Sequence, residues 1–287
     1  MTSVPSLQEL VDDAVFLSHE HQLHLTDLHG EDAWNADMAT GAFLFTDSSG
    51  GVVECRLQFL GTAAPGPSSW MWGWHNVNGF PELVLEAAAR AHGTGVPELS
   101  TAELPLDDDL PHRLALATKV LTGSWSHYSA PVGGGTRAWM LVEHPTFGLP
   151  APSVPRVVRT LSEGLLSVTV VDHRRAVAAY AEARGLAPEQ GPDGSVLLSV
   201  PDGSVTVRFD DAGRIAGIAA TARAAQPAPD PHPGVAAPAE PVSPSRPVAS
   251  AEPATPAEPA APVERAEPAA AAAPGEPRRR SWFRRRG

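Results

Sequence analysis

The segment between residues 19 and 29 concentrates side chains that can bind metal ions. Its candidate ligands are His19, Glu20, His21, His24, Asp27 and His29. Imidazole and carboxylate groups are common ligands of zinc and iron. The zinc pattern H-E-x-x-H, however, needs a histidine where the sequence has Leu23, and on a helix His19 and His21 point about 200° apart. We therefore interpret His21 as a core residue and predict no metal site.

Three tryptophans alternate in the phrase WMWGWHN. If residues 69–76 form a strand, Trp70, Trp72 and Trp74 project from one face and form an apolar wall. An open wall could stack a base, a sugar ring or a proline-rich ligand. A closed wall would be core, which the large area of an indole favours. His75 and Asn76 follow at the strand end, so the candidate ligand-binding set is Trp70, Trp72, Trp74, His75 and Asn76.

Other patterns that support catalysis or cofactor binding are missing from the sequence. There is no G-x-S-x-G motif, and the one cysteine, Cys55, lies in an alternating strand pattern typical of a buried thiol. Gly133–Gly135 stands between two predicted strands, where a phosphate loop would need a helix to follow. Asp107–Asp109 precede a predicted helix and are interpreted as its cap. We predict no cofactor and leave the catalytic residues unassigned.

The end of the chain, RRRSWFRRRG, is a basic and aromatic cluster. It consists of Arg278, Arg279, Arg280, Trp282, Phe283, Arg284, Arg285 and Arg286. Clusters of this kind bind anionic lipid, nucleic acid or an acidic protein surface. We predict that the partner is an unknown protein or an anionic membrane surface. The alternatives are that the cluster folds back on an acidic body or has no partner.

The elements that must position the first candidates are a helix and a three-stranded meander. Ser6 and Glu9 form a capping box ahead of an apolar stripe that runs to Gly30. Three alternating runs follow at 42–46, 52–61 and 69–76, separated by the turn sequences DSSGG and APGPS. Because one face of the second run is apolar and the other polar, the first helix is expected to cover the apolar face.

Further elements are predicted on both sides of a boundary near residue 150. The predicted helices are 81–92, 111–122, 154–163 and 172–184, and the predicted strands are 124–128, 137–143, 166–171, 195–200, 204–209 and 215–220. The fold class is therefore α+β: an antiparallel sheet meander covered by amphipathic helices, followed by a smaller helix-plus-β-meander unit and a disordered C-terminal tail. The predicted divisions are 1–150, 151–225, 226–277 and 278–287.

Composition separates the body from the tail. Half of the 30 prolines fall after residue 225, so residues 226–277 are predicted to be a disordered tether. Residues 226–287 contain seven acids and eight arginines, so the first 225 residues carry a net charge of −13, whereas the whole chain carries −12. An acidic body is not expected to bind nucleic acid. No secretory signal or membrane span is expected either, so we predict a cytoplasmic protein, peripheral to the inner membrane face if the tail binds lipid.

The body resembles an uncharacterised bacterial family of unknown function that is common in actinobacteria. The resemblance rests on the first helix, Trp34 with Asp37, LQFLGT, WMWGWHN and PELVLEAAARAHGTGVPEL, and it covers residues 5 to 145. It implies no activity and no functional residue.

Two functions stay open from the sequence. The leading hypothesis is a non-catalytic binding or adaptor protein, whose body recognises one partner and whose tail contacts an anionic one. The alternative is a hydrolase with a site at the end of the tryptophan strand, where His75 and Asn76 would meet histidines of the first helix.

Overall fold

A computed structural model describes residues 4–223. The first helix, α1, spans Leu7–His29, and its capping box is present: the Glu9 amide donates to Ser6 Oγ, and the Glu9 carboxylate accepts from the Ser6 amide. The remaining helices are α2 (Glu86–His92), α3 (Pro97–Ser100), α4 (Leu110–Thr122), α5 (Val154–Gly164) and α6 (His173–Ala183), with 3-10 turns at Gly73–His75, Glu82–Val84 and Pro145–Phe147. The predicted start and end of the first helix are thus confirmed.

A seven-stranded antiparallel sheet occupies the first two thirds of the described chain. Its strands are β1 (Ala33–Asp37), β2 (Ala42–Thr46), β3 (Val52–Ala64), β4 (Ser69–Trp72), β5 (Glu103–Pro105), β6 (Ser126–Gly133) and β7 (Thr136–Glu143). The long strand β3 pairs with β7 along one edge and with β2 and then β4 along the other. The predicted meander is therefore the centre of a larger, curled sheet.

A second, four-stranded antiparallel sheet follows α6. Its strands are β8 (Pro188–Gln190), β9 (Val196–Val200), β10 (Gly203–Phe209) and β11 (Ile215–Ala222), in the order β11-β10-β9-β8. Three of these strands were predicted, and the α+β class with antiparallel sheets is confirmed.

Helix α1 is the central element of the packing. It contacts α4, α5, α6 and β6, and one hydrophobic cluster runs from its apolar residues to both sheets. The segment before α6 is attached by Asp12, whose carboxylate accepts hydrogen bonds from the amides of Val171 and Asp172 at 3.0 Å each. The Asp172 carboxylate in turn caps α6 by accepting from the Arg175 amide.

Two of the predicted strands, 69–76 and 166–171, differ from the structure. The tryptophan strand ends at Trp72, because the chain turns into the 3-10 helix at Gly73–His75. The strand predicted at 166–171 is absent: the segment has no regular structure, and the Val171 amide bonds to Asp12 instead of a neighbouring strand. Of the apolar residues there, Val168 is buried, whereas Leu166 and Val171 are exposed.

The domain divisions stay predictions. Residues 4–223 fall within one compact unit, and the tether (226–277) and arginine cluster (278–287) lie outside the described residues. Within residues 4–223, no helix combines the length and apolar character that a membrane span requires.

Candidate functional site

An open cleft lies where α1, the start of α4, β6 and β7 meet. We call it the histidine cleft, and its defining residues are Ser18, His19, Gln22, His112, His127 and Trp139. Its volume is about 350 Å³, within the size range of small-molecule sites. Asp108 and Asp109 lie at its rim, and both are exposed. The cleft thus combines imidazoles, a hydroxyl and an indole in one accessible space.

Lys119 lies beneath the histidine cleft and is completely buried. Its Nζ is 2.6 Å from Ser18 Oγ and 2.8 Å from His127 Nδ1. No carboxylate in residues 4–223 forms an ion pair with it, which is unusual because buried lysines are normally paired. Burial without a counter-charge lowers the pKa of Lys119 well below 10.5, which favours the neutral amine.

His127 is held in place from its backbone and its ring. Its amide donates to Gln22 Oε1 at 2.9 Å, and Gln22 Nε2 donates to the His127 carbonyl at 3.1 Å. The imidazole stacks on Trp139 with centroids 5.7 Å apart and planes 7° from parallel. Burial lowers the pKa of His127 well below 6.5. The ring therefore lies neutral and fixed between Lys119 and the cleft.

Two further imidazoles border the cleft. His112 Nδ1 lies 3.2 Å from the Ser167 carbonyl, which can only accept, so in the neutral ring Nδ1 carries the proton and Nε2 is an acceptor. Burial lowers the pKa of His112 to about 4. His19 Nε2 lies 3.4 Å from Glu163 Oε2, and its pKa is also lowered, mainly by burial. Near neutral pH the cleft therefore presents neutral imidazoles.

The cleft residues on α1, α4, β6 and β7 lie in a segment that matches a protein-family model. Residues 8–145 match the model of a family of unknown function, DUF6882. No curated protein matches the chain, and no solved structure does. The predicted resemblance to a family of unknown function is confirmed to that extent, whereas its bacterial distribution and its tryptophan phrase stay predictions. The DUF6882 segment includes Ser18, Lys119 and His127, so the buried lysine and both of its partners belong to it.

The three tryptophans of the segment 8–145 do not form the predicted apolar wall on one strand. Trp70 and Trp72 are buried, with relative exposures of 0% and 1%, and their rings meet edge to face at 5.4 Å. Trp74 lies on the 3-10 turn beyond the strand, half-buried, 4.2 Å from the His92 ring. This burial favours the core interpretation for Trp70 and Trp72.

His75 and Asn76 are not assembled with the histidines of α1. His75 is exposed, and its described ring contact is with Trp74. The Asn76 side chain closes a loop, because its Oδ1 accepts from the Phe80 amide at 2.7 Å and its Nδ2 donates to the Phe80 carbonyl. The cavity beside Asn76 is only about 10 Å³ and has no ionisable residue in its lining. A ligand-binding role for these residues stays a prediction.

The candidate metal ligands on α1 contact different partners on different sides of the helix. His21 stacks on Trp125 and its pKa is lowered by burial to about 3, in line with a core residue. His29 bonds to Asp32 at 2.8 Å, and Asp27 pairs with Arg156. Glu20 is buried against Tyr180 and Arg184. Within residues 4–223, no group of three or more such side chains is arranged to hold a metal ion.

Sequence reasoning missed Ser18, Lys119, His112 and His127. One signal was available: Lys119 is the chain's single lysine and interrupts an otherwise apolar run, LALATKVL. The spacing of the four residues gave no signal, because they come from α1, α4 and β6 and meet only in the folded chain. Chemically, the group offers a neutral amine in contact with a hydroxyl, beneath a cleft that can exchange solvent or ligand.

Proposed function

We propose that residues 4–223 bind a small polar molecule in the histidine cleft, and that the chain is a non-catalytic binding protein. The observation that carries this proposal is Lys119, a fully buried lysine that has no carboxylate partner among residues 4–223 and lies directly beneath an open cleft. An apolar side chain of similar size would stabilise the core more, since burying an ionisable group costs free energy. Strongly perturbed groups of this kind cluster at binding and catalytic sites.

A ligand screen tests this proposal. The full chain is mixed with a library of metabolite-sized carboxylates, phosphates, amines and amides, and binding is followed by ligand-observed NMR. We expect at least one class to bind, and His112→Asn to weaken that binding by about tenfold or more, because it changes the imidazole that faces the ligand. His75→Asn is the matched control, since His75 is exposed and outside the cleft. Equal binding to both variants, or no binding by any compound, would contradict the proposal.

A hydrolase is the second candidate, and the 2.6 Å contact between Ser18 Oγ and Lys119 Nζ favours it. A neutral lysine beside a serine hydroxyl is a general base next to a nucleophile. The same screen distinguishes the two functions. Ligand signals that stay unchanged over hours support a binding protein, whereas signals that convert to product with the wild type but not with Ser18→Ala support the hydrolase.

The arginine cluster at 278–287 supplies the second contact of the proposed binding protein. Its support is the sequence alone: six arginines around Trp282 and Phe283 after an acidic body. We expect the full chain to sediment with anionic phospholipid vesicles and not with zwitterionic ones. Replacing the six arginines by glutamine should abolish sedimentation, and replacing them by lysine, which keeps the charge, should preserve most of it. If all three proteins behave alike, the partner is not an anionic membrane surface.

A further inference from the structure

The described hydrogen-bond partners of Lys119 carry no charge. An ammonium carries three N–H donors, and the described residues provide two partners, Ser18 Oγ and His127 Nδ1. Lys119 Nζ donates to the Ser18 hydroxyl, and its other partner is an imidazole that burial keeps neutral. Within residues 4–223, the buried site therefore lacks the negative charge that an ammonium would need.

The groups that face Lys119 would leave the positive charge of an ammonium uncompensated. His127 faces it from β6, His21 from α1, and His112 from its own helix, and all three are held neutral by burial. Acids lie farther out: Asp108 and Asp109 stand at the rim, while Glu163 is bonded to His19 and Arg159. A negative charge that enters the cleft would be the first one close to Lys119.

The donors around Lys119 point to the chemistry of such a ligand. An ammonium at Lys119 can only donate, so the neutral imidazole of His127 opposite it accepts at Nδ1, carries its proton on Nε2 and is a donor toward other partners. Once Lys119 is an ammonium it also donates to Ser18 Oγ, which frees the Ser18 proton for a ligand acceptor. Ser18 and His127 both line the cleft, and the coplanar rings of His127 and Trp139 give it a flat wall.

We propose that the histidine cleft binds a ligand that carries a carboxylate on a planar body, and that Lys119 takes up a proton from solvent when that carboxylate is bound. This inference rests on the proposed binding function of the cleft. The carboxylates of Asp108 and Asp109 at the rim repel a singly charged group less than a doubly charged one, which favours a carboxylate over a dianion. The bound carboxylate and the Lys119 ammonium stabilise each other in a buried setting, and the coupling is reciprocal.

Three probes that share one ring and differ in charge test the ligand class. They are benzoate, benzamide and benzylamine, each titrated into the full chain at neutral pH by isothermal calorimetry. Benzoate is expected to bind about tenfold or more tightly than benzamide, and Lys119→Met to remove most of that difference. Because binding takes up a proton, affinity for benzoate should weaken as pH rises. Equal or tighter binding of benzamide or benzylamine would overturn the inference.

The single lysine allows the proton uptake to be observed directly. In a chain grown with ¹³C-lysine, one Cε signal reports whether Lys119 is an amine or an ammonium. We expect benzoate, and not benzamide, to move this signal to the ammonium position, a measurement that needs no variant and holds if Lys119→Met fails to fold. If benzoate perturbs the signals of the cleft histidines while Lys119 stays an amine, the inference is overturned but the binding site is not. If no compound of the screen binds, the binding site itself is rejected.

Discussion

Replacing Trp70 or Trp72 by alanine is expected to lower the free energy of unfolding by about 3 to 5 kcal/mol, the range for large aromatic truncations in a core. Both indoles are among the largest fully buried side chains, and they pack edge to face. Urea unfolding followed by circular dichroism measures the loss without depending on tryptophan fluorescence. Trp34→Ala is the control, because Trp34 is 38% exposed and should cost much less.

Phenylalanine at the same two positions separates packing from hydrogen bonding. Trp72 Nε1 donates to the Glu98 carbonyl at 2.9 Å, whereas Trp70 Nε1 is buried without a partner in the described residues. Trp72→Phe leaves the Glu98 carbonyl without that donor, while Trp70→Phe removes an unsatisfied N–H. Trp72→Phe should therefore be the more destabilising change by about 1 kcal/mol. The reverse order, or near-neutral alanine variants, would show that these indoles are not core.

Glu20→Ala is expected to destabilise the protein by about 3 to 5 kcal/mol, the cost of leaving a buried charge unpaired. Glu20 Oε2 accepts from the Tyr180 hydroxyl at 2.9 Å and lies 3.1 Å from Arg184 Nε. Both charged side chains are buried, with exposures of 1% and 9%, so water cannot replace the missing partner. These contacts join Glu20 on α1 to Tyr180 on α6 and to Arg184 at the C-terminal end of α6. Its loss should appear in urea unfolding at neutral pH.

A double variant and an exposed pair make this prediction specific. Glu20→Met combined with Arg184→Met removes both charges and should recover much of the lost stability. Asp27→Ala, on the same helix, breaks the exposed pair with Arg156 and should cost less than about 1 kcal/mol. A Glu20→Ala loss no larger than that of Asp27→Ala would mean that Arg184 finds another partner.

Much of the fold could be predicted because its signals are local. The capping box at Ser6 and Glu9, the alternation in β2 and β3, and the glycine turns between the late strands each depend on residues close in sequence. The burial of Cys55 also followed from alternation, and the structure places it at 2% exposure with its pKa raised by burial to about 11. The strand prediction for 166–171 was wrong, because the Val171 amide bonds to Asp12, a residue distant in sequence, and not to a neighbouring strand.

The candidate site could not be predicted either, because its residues are also distant from one another in sequence. Ser18 and Lys119 are separated by 101 residues, and the contact exists only because α1 packs on α4 while β6 brings His127 to the same point. Sequence determined a capped helix, antiparallel strands, an acidic body and a single lysine, since these depend on composition and on neighbours along the chain. The tertiary structure alone decided that the lysine is buried beneath an open cleft with no counter-charge in the described part of the chain, because burial and electrostatic environment come from elements that meet only on folding.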